Sequence, residues 1–224
     1  MDVQAVTVDL DDTIWPYAPI AMHIAETLKA FLAEAGPRAA EAFDPTALSA
    51  ALTAPRETRQ ASSDVQRWLT PDGLRAELAA CGHDPDLAGP ALQATDDARQ
   101  HVVPFPEAES ALGRIGERYR ILALTEGASD VERIGVAGWF DGVITSRDVG
   151  VSKPDPRIFR AACTALDLPP SSVLHAGNDL AKDVHGALAA GMQAAWVRRD
   201  PEGTEPPGVL VVADLSELAS ALGV

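Results

Sequence analysis

Two aspartates directly behind a short apolar run are the residues of this chain best suited to chemistry. Asp9 and Asp11 follow the segment Val3 to Val8, which has the character of a buried β-strand. In an extended segment both side chains point to the same side. Clustered carboxylates repel one another and need a cation, hydrogen bonds or protonation to offset the cost. A divalent-metal site in which one carboxylate attacks and the other handles protons would do this, and a solvated turn or a helix cap is the alternative.

Other reactive side chains follow further strand-like runs. Thr125 ends one run and precedes a turn at Glu126, where a hydroxyl and turn amides could hold an anion. Lys153 lies in a loop that prolines stiffen. Asn178 and Asp183 follow another apolar run and supply more oxygen ligands. Alone, each would more often be a strand-end hydroxyl, a surface lysine or a helix cap, so it is their joint occurrence that indicates a site.

Short apolar runs alternate with amphipathic stretches of helical length through most of the chain. This alternation predicts βαβ units and a parallel sheet covered on both faces, with ligands beyond the carboxyl ends of the strands. The predicted strands are residues 3–9, 120–124, 142–145, 172–176, 194–197 and 209–212. The predicted helices include 106–118, 155–166, 181–190 and a short closing helix at 214–222. An exposed loop is predicted for residues 200–207.

The stretch 16–103 is different, because it contains no comparable strand run. Apolar residues recur at helical spacing near its start. Asp44-Pro45 and Thr70-Pro71 each look like an N-cap followed by a first-turn proline. The sequence therefore predicts a helical domain at residues 16–103, inserted into an α/β core of residues 1–15 and 104–224.

The composition limits which binding partners and which cellular compartment are expected. The 224 residues suit a core with a smaller inserted domain, and the net charge of −15 disfavours nucleic acid and anionic membranes as partners. Cys81 and Cys163 have no CxxC spacing, so a reducing cytoplasm is expected. No signal peptide is expected, and no apolar run approaches the roughly 20 residues of a membrane helix. The sequence leaves the oligomeric state open.

In combination, these segments resemble the haloacid dehalogenase superfamily, and specifically its capped phosphatase-like hydrolases. The family's four motifs are similar in turn to Val6–Thr13, Leu122–Thr125, Ser152–Pro154 and Gly177–Asp183. The resemblance covers residues 1–13 and about 104–213, and the helical insert is similar to the type known as a C1 cap. It implies a doubly wound, Rossmann-like parallel sheet with an inserted helical cap domain.

The resemblance also implies a role for each of these residues. Asp9 would attack phosphorus to form an aspartyl phosphate, and Asp11 would serve as general acid and then as general base. Thr125, the turn at Glu126 and Lys153 would bind the phosphoryl group of a small phosphorylated substrate. Lys153 would also restrain Asp9 electrostatically.

The metal implied by the resemblance is Mg²⁺, which prefers hard oxygen ligands and retained waters. Asp9, the backbone carbonyl of Asp11 and an oxygen of the fourth motif would hold it. The family usually has an acid where this chain has Asn178, so either Asn178 or Asp179 would supply that oxygen. Asn178 is favoured, with Asp183 as a partner that lies behind the direct ligands or reaches the metal through water, and an uncharged amide should bind the metal less tightly.

Glu126 is a second departure, since such phosphatases often carry asparagine at this position. A carboxylate that pointed inward would repel phosphate, so its side chain is expected to turn away or to contact the cap. The leading hypothesis is a Mg²⁺-dependent phosphomonoester hydrolase. A phosphomutase stays open as an alternative, and so does a catalytically silent binding module, which Asn178 and Glu126 would favour.

Carbon–halogen and carbon–phosphorus chemistry fit the residues less well. Relatives that dehalogenate 2-haloacids do not keep the second aspartate, so Asp11 counts against that reaction. A phosphonatase would also lack Asp11 and would use a cap lysine, whereas Lys29 is the only lysine of the insert.

Overall fold

The computed structural model describes residues 2–199 and 206–224 and divides into two compact units. The core unit comprises residues 1–16 and 103–224, and the inserted unit comprises residues 17–102. Each of these boundaries lies one residue from the position expected from the sequence. The loop predicted at 200–207 lies outside the described residues over positions 200–205.

The described residues of the inserted unit are helical, as the sequence predicted. Its α-helices are α1 (Tyr17–Ala35), α2 (Pro37–Ala42), α3 (Pro45–Thr53), α4 (Arg56–Ala61), α5 (Ser63–Trp68), α6 (Pro71–Ala80) and α7 (Ala88–Arg99), with a 3-10 turn at Pro85–Leu87. Asp44 accepts hydrogen bonds from two backbone amides of α3, and the Thr70 hydroxyl accepts one from α6. Both predicted N-caps are therefore confirmed. The apolar stripe of α1 is buried along its whole length.

The core unit is built on a six-stranded parallel sheet. Its strands are β1 (Ala5–Val8), β2 (Arg120–Thr125), β3 (Gly142–Thr145), β4 (Val173–Gly177), β5 (Gln193–Val197) and β6 (Leu210–Val212). They lie in the order β3-β2-β1-β4-β5-β6, and every neighbouring pair is parallel. The strand order reverses between β1 and β4, and in such sheets a crevice opens at that point beyond the carboxyl ends of the strands.

Helices cover this sheet because its strands are apolar on both faces. The α-helices of the core unit are α8 (Ala108–Gly116), α9 (Val131–Ile134), α10 (Ser146–Val149), α11 (Pro156–Leu166), α12 (Gly186–Ala189) and α13 (Leu215–Ala221). Short 3-10 turns occur at Ala137–Trp139 and Pro170–Ser172. All four residues of β1 are buried, which requires packing on both faces. Helix α11 packs with α12, and α8 packs with α13. The expected doubly wound α/β core is confirmed.

The segment after β4 departs from the predicted helix at 181–190. Leu180–His185 forms a π-helical segment, and only Gly186–Ala189 is α-helical. Such wide turns are rare and occur often at functional sites. Within the described part of the chain, no helix combines the length and the apolar character needed to cross a lipid bilayer.

Candidate active site

The predicted site residues follow strands that are neighbours in the sheet. Val8, the last residue of β1, is paired with Ala123 of β2 and with Ala176 of β4. The segments that leave these three strands therefore meet at one edge of the sheet. They carry Asp9 and Asp11, Thr125, and the fourth-motif residues, so parallel topology brings together groups far apart in the sequence.

Lys153 is the centre of the buried charge cluster at this edge. Its Nζ donates to Asp9 Oδ1 at 2.6 Å, to Asp183 Oδ1 at 2.7 Å and to the carbonyl of Leu124 at 3.2 Å. An ammonium has three donors, and here all three are used. The side chains of Lys153 and Asp183 are each 2% exposed, and that of Asp9 is 11% exposed. The position of the ammonium is thus fixed by the fold.

The three charges of this cluster titrate differently. Burial raises the pKa of Asp9 to about 7, against the opposing effect of the Lys153 ammonium. Burial also disfavours the Asp183 carboxylate, but Lys153 and the hydrogen bond from His175 outweigh it and hold the Asp183 pKa below its usual range. Burial would lower the pKa of Lys153, yet the two carboxylates raise it overall. One ammonium serves two carboxylates. Of the three groups, Asp9 is therefore the one whose pKa lies near neutrality.

His175 supports Asp183 from inside the sheet. Its Nε2 lies 3.2 Å from Asp183 Oδ1, and its Nδ1 lies 2.8 Å from the Thr7 hydroxyl. A carboxylate can only accept, so Nε2 carries the proton and the Thr7 hydroxyl donates to Nδ1. Burial lowers the pKa of His175, which keeps the ring neutral. His175 is thus a neutral core histidine with both ring nitrogens hydrogen-bonded.

Asp183 has both carboxylate oxygens engaged by protein donors. Oδ1 accepts from Lys153 and His175, and Oδ2 accepts from the Asp179 amide at 2.9 Å. Gly177 allows this approach, since a Cβ there would lie 2.3 Å from the Asp183 carboxyl carbon. Asp183 therefore anchors Lys153 and the start of the π-helical segment. Its role in metal binding stays a prediction.

Asp11 lies in a tight turn after β1. Its Oδ1 accepts a hydrogen bond from the indole Nε1 of Trp15 at 2.9 Å, and the Asp12 amide donates to the Trp15 carbonyl at 2.7 Å. Asp12 has φ of 60°, in the left-handed region that closes the turn. The other oxygen, Oδ2, would lie 2.7 Å from a Cβ placed on Gly127. The Asp11 carboxylate thus lies against the turn that follows β2.

The same turn contains Thr125 and Glu126. The Thr125 hydroxyl, which is buried, accepts from the Gly127 amide at 3.0 Å. The Glu126 carboxylate pairs with Lys182 Nζ at 3.3 Å, with 12% and 30% of the two side chains exposed. Lys182 belongs to the core unit, so Glu126 has a charge partner that the sequence analysis did not anticipate.

Asn178 and Asp179 have different surroundings in the fourth-motif segment. Asn178 Oδ1 accepts from the Thr13 hydroxyl at 3.2 Å, and its backbone carbonyl accepts from the Trp196 indole at 2.9 Å. Asp179 Oδ1 accepts from the amides of Ala181 and Lys182, which makes it the N-cap of the π-helical segment. Both residues thus use a side-chain oxygen within the protein, and the preference for Asn178 as the metal ligand stays a prediction.

The oxygen donors that the resemblance assigns to a metal are of mixed type. Among residues 2–199 and 206–224, no three His, Cys, Asp or Glu side chains come together in a group that could hold a metal ion. A site built from the Asp9 carboxylate, the Asn178 amide and the Asp11 carbonyl needs no such group. Mg²⁺ is commonly bound by one or two carboxylates together with waters and substrate phosphate, and this donor set fits that chemistry.

Three residues of this site were not assigned to it by the sequence. They are Thr13, Trp15 and His175, all of them buried. A polar residue in a buried strand must find a partner, and this is the only sequence signal that pointed to His175. The bonds from Trp15 to Asp11 and from Thr13 to Asn178 depend on the folded turn.

Two carboxylates and a buried lysine lie at the switch point of this doubly wound sheet, which is the arrangement that the resemblance to a hydrolase family implied. Residues 3–191 match the family model of the haloacid dehalogenase-like hydrolases, and the chain belongs to that family. The chain is 33% identical to the phosphoserine phosphatase of Thermus thermophilus, over 98% of this chain and 100% of that protein. It is 29% identical to the Escherichia coli 5-amino-6-(5-phospho-D-ribitylamino)uracil phosphatase YigB, over 88% and 84%.

Solved structures agree with this assignment. The structure of a 2-haloacid dehalogenase from Pseudomonas syringae pv. tomato aligns with a TM-score of 0.79 at 26% identity, over 99% of this chain and 98% of that one. The fold is also shared with a phosphatase of the same superfamily from Thermococcus onnurineus, with a TM-score of 0.65 at 21% identity, over 99% and 98%. The chain is an enzyme of the phosphatase-like kind within its family.

Proposed function

We propose that this protein is a Mg²⁺-dependent phosphomonoester hydrolase that acts on a small phosphorylated metabolite through an aspartyl phosphate. The observation that carries the proposal is the buried contact of 2.6 Å between Lys153 and Asp9. It holds one oxygen of Asp9 and places a positive charge where a phosphate dianion must approach a carboxylate. Charge placed in advance in a water-poor site is an effective form of transition-state stabilisation.

In the first step the Asp9 carboxylate attacks phosphorus and the ester P–O bond breaks. The electron pair of that bond goes to the leaving alcohol oxygen, which takes the proton of Asp11. An alkoxide is a poor leaving group, so this proton transfer matters most for alkyl esters. The products of the step are the free alcohol, an aspartyl phosphate at Asp9 and an ionised Asp11.

In the second step water attacks the same phosphorus and gives a proton to Asp11. The P–O bond to the Asp9 carboxyl group breaks, which releases inorganic phosphate and restores the Asp9 carboxylate. Asp11 is protonated again, so the cycle closes without any other reactant. One residue serves both steps because its two protonation states alternate.

Thr125 and the turn amides around Glu126 are proposed to bind the phosphoryl oxygens, and Lys153, whose three donors are held by the protein, is proposed to attract them through its charge. A buried hydroxyl and an ammonium suit anionic oxygens. Lys182 compensates the Glu126 carboxylate, so that this position repels the phosphate less than an unpaired glutamate would.

Asp9, the carbonyl of Asp11 and Asn178 would hold Mg²⁺, with Asp183 as a partner reached through water. When bound, the ion supplies positive charge that offsets the repulsion between a carboxylate and a phosphate dianion. The residues of the chain still position the nucleophile and transfer the proton. Because Asn178 contributes no charge, we propose a metal affinity below that of a site with an acid at this position.

The substrate is proposed to be the phosphate ester of a small alcohol. The curated relatives are named for phosphoserine, for a phosphoribitylamino-uracil and, in a protein of Methanopyrus kandleri 28% identical to this chain, for glyceraldehyde 3-phosphate. Their alcohols differ, whereas each name contains a phosphate group. A shared core therefore supports the reaction type, and the alcohol has to be found by screening.

Dehalogenation is the second candidate, because the structure of a 2-haloacid dehalogenase aligns with this chain over 98% of its own length. The two reactions differ in what leaves. A halide ion departs without a proton, whereas an alkoxide needs one, and Asp11 is placed to supply it. Asp11 therefore favours phosphate ester hydrolysis.

The test is turnover of p-nitrophenyl phosphate and of a panel of phosphorylated metabolites, with Mg²⁺ and with EDTA. We expect metal-dependent release of phosphate, lowered at least about 100-fold in Asp9→Asn and, on alkyl esters, in Asp11→Asn. Asp86→Asn, at an exposed aspartate of the inserted unit, is the matched control and should keep full activity. Full activity of Asp9→Asn would refute the mechanism.

The products separate the alternatives. An isomeric phosphate ester in place of free phosphate would indicate a phosphomutase, and halide release from 2-chloropropionate would indicate a dehalogenase. No turnover of any compound by purified, folded protein would favour a silent binding module.

A further inference from the structure

Trp15 makes a contact that apolar packing does not require. We propose that Trp15 is a positioning residue, which holds the carboxylate of Asp11 in the orientation for proton transfer to the leaving group. The inference rests on the proposed function, because it concerns how the general acid of that reaction is fixed. It assigns a role to a residue whose burial alone would mark it as core.

The geometry ties Trp15 to Asp11 through both side chain and backbone. Trp15 is fully buried, and its Nε1 donates to Asp11 Oδ1 at 2.9 Å. The backbone of Asp11 and that of Trp15 form an isolated parallel bridge, and the Asp12 amide donates to the Trp15 carbonyl at 2.7 Å. An indole is a rigid ring with a single donor direction, so a buried indole defines where its acceptor must lie.

Gly127 confines the same carboxylate from the other side. A Cβ at Gly127 would lie 2.7 Å from Asp11 Oδ2, closer than real Cβ contacts come. The second oxygen of Asp11 thus lies directly over the glycine backbone, in space that any side chain at position 127 would fill. Trp15 and Gly127 together restrict the carboxylate to one orientation.

The turn that carries Asp11 is itself anchored, so it cannot readily shift as a unit. Arg199 Nη2 donates to the Thr13 carbonyl at 2.8 Å, and the Thr13 hydroxyl donates to Asn178 Oδ1 at 3.2 Å. The Arg199 guanidinium also lies 3.5 Å from the centroid of the Phe105 ring. Loss of the Trp15 hydrogen bond should therefore change the orientation of the Asp11 side chain and leave the backbone of the turn in place.

The experiment compares two esters whose leaving groups differ in their need for a proton. Nitrophenolate leaves readily without one, whereas phenolate is more basic and gains more from general acid catalysis. For Trp15→Phe we expect kcat/KM on phenyl phosphate to fall about tenfold and kcat/KM on p-nitrophenyl phosphate to fall less than about twofold, as for one lost hydrogen bond to a charged group. We compare kcat/KM because it reports on the first step alone, whereas the second step, in which Asp11 acts as base, is the same for both esters. The inhibition constant of inorganic phosphate should change less than about twofold, since Asp11 does not hold the phosphate.

Two further variants make the comparison decisive. Gly127→Ala adds one methyl group against Asp11 Oδ2 and should give the same selective loss, and it decides the matter if Trp15→Phe does not fold. Trp68→Phe is the matched control, because Trp68 is a buried tryptophan of the inserted unit that packs edge-to-face on Phe43. It should leave the ratio of the two kcat/KM values unchanged.

Equal losses on both esters in Trp15→Phe and Gly127→Ala would show a merely structural role and overturn the inference, as would no loss on either. Asp11→Asn separates this outcome from failure of the proposed function. If Asp11→Asn is selectively impaired on phenyl phosphate and Trp15→Phe is not, only the positioning role falls. If the parent protein hydrolyses neither ester, or Asp11→Asn hydrolyses both at the parent rate, the proposed function itself falls.

Discussion

The ammonium of Lys153 donates to the carboxylate of Asp9 at 2.6 Å across 144 residues of sequence. Both groups are almost fully withdrawn from water, with 2% and 11% of their side chains exposed. Buried charges of this kind cost much desolvation energy and persist only when each has a partner. The pair therefore links the stability of the core unit to the charge of Asp9.

Replacement of Lys153 by methionine should destabilise the protein and abolish turnover. The change leaves the Asp9 and Asp183 carboxylates buried without their cation, which typically costs about 3–5 kcal/mol. Urea unfolding and phosphatase assays measure the two effects. Arg157→Met breaks an exposed pair with Asp155 and should leave both nearly unchanged. Parent-like stability of Lys153→Met would contradict a buried pair.

The pH dependence of stability should reveal Asp9. Its pKa is raised by burial from 3.8 to about 7, so the native state holds an extra proton between those values. Stability from this group is therefore lost as the pH rises through that window. Asp183 has the opposite sign: its pKa is lowered, and its contribution is lost only as the pH falls below the usual range of an aspartate.

Metal-free Asp9→Asn should accordingly be more stable than the parent at about pH 8, with a difference that shrinks toward about pH 4. Thermal unfolding in EDTA across that range measures it. Saturating Mg²⁺ should stabilise the parent and have little effect on the variant, because the carboxylate is a proposed ligand. A difference that does not vary with pH would contradict the titration of Asp9.

Asn178→Asp should strengthen metal binding by roughly tenfold or more, because it adds a negative charge to the ligand set. The Mg²⁺ concentration for half-maximal activity measures this change. Asp179→Asn is the matched control: an asparagine caps the π-helical segment about as well as an aspartate, so the change should shift neither the stability nor the Mg²⁺ requirement. The reverse pattern would assign the metal to Asp179.

The Glu126–Lys182 pair should affect substrate binding through charge. Lys182→Met removes a positive charge next to the Glu126 carboxylate, so KM should rise about three- to fivefold. Glu126→Gln should lower KM, and the double variant should resemble Glu126→Gln. Arg75→Met, which breaks an exposed ion pair in the inserted unit, controls for general charge effects. If KM is unchanged in both single variants, the charges of this pair do not influence substrate binding.

Local features of the fold were predictable from the sequence. The caps at Asp44 and Thr70 and the apolar stripe of α1 depend on residues a few positions apart, and the structure confirms them. The apolar runs also predicted all six strands, and every predicted end lies within two residues of the observed end. Less predictable was the π-helical segment after β4, since the pattern for an α-helix is present there and the wide turn differs by a single residue.

The chemistry for which this protein is equipped can be read from the chain alone. The short segments that contain Asp9, Asp11, Thr125 and Lys153 can be recognised from residue type and order. Neither property depends on the fold. How these groups are held depends on the folded molecule: Asp183 and Asp9 share one ammonium, Glu126 is paired with a lysine, and Trp15 donates to Asp11. Most of these contacts join segments far apart in the chain, and they follow from the order of parallel strands and from burial, neither of which short-range spacing encodes.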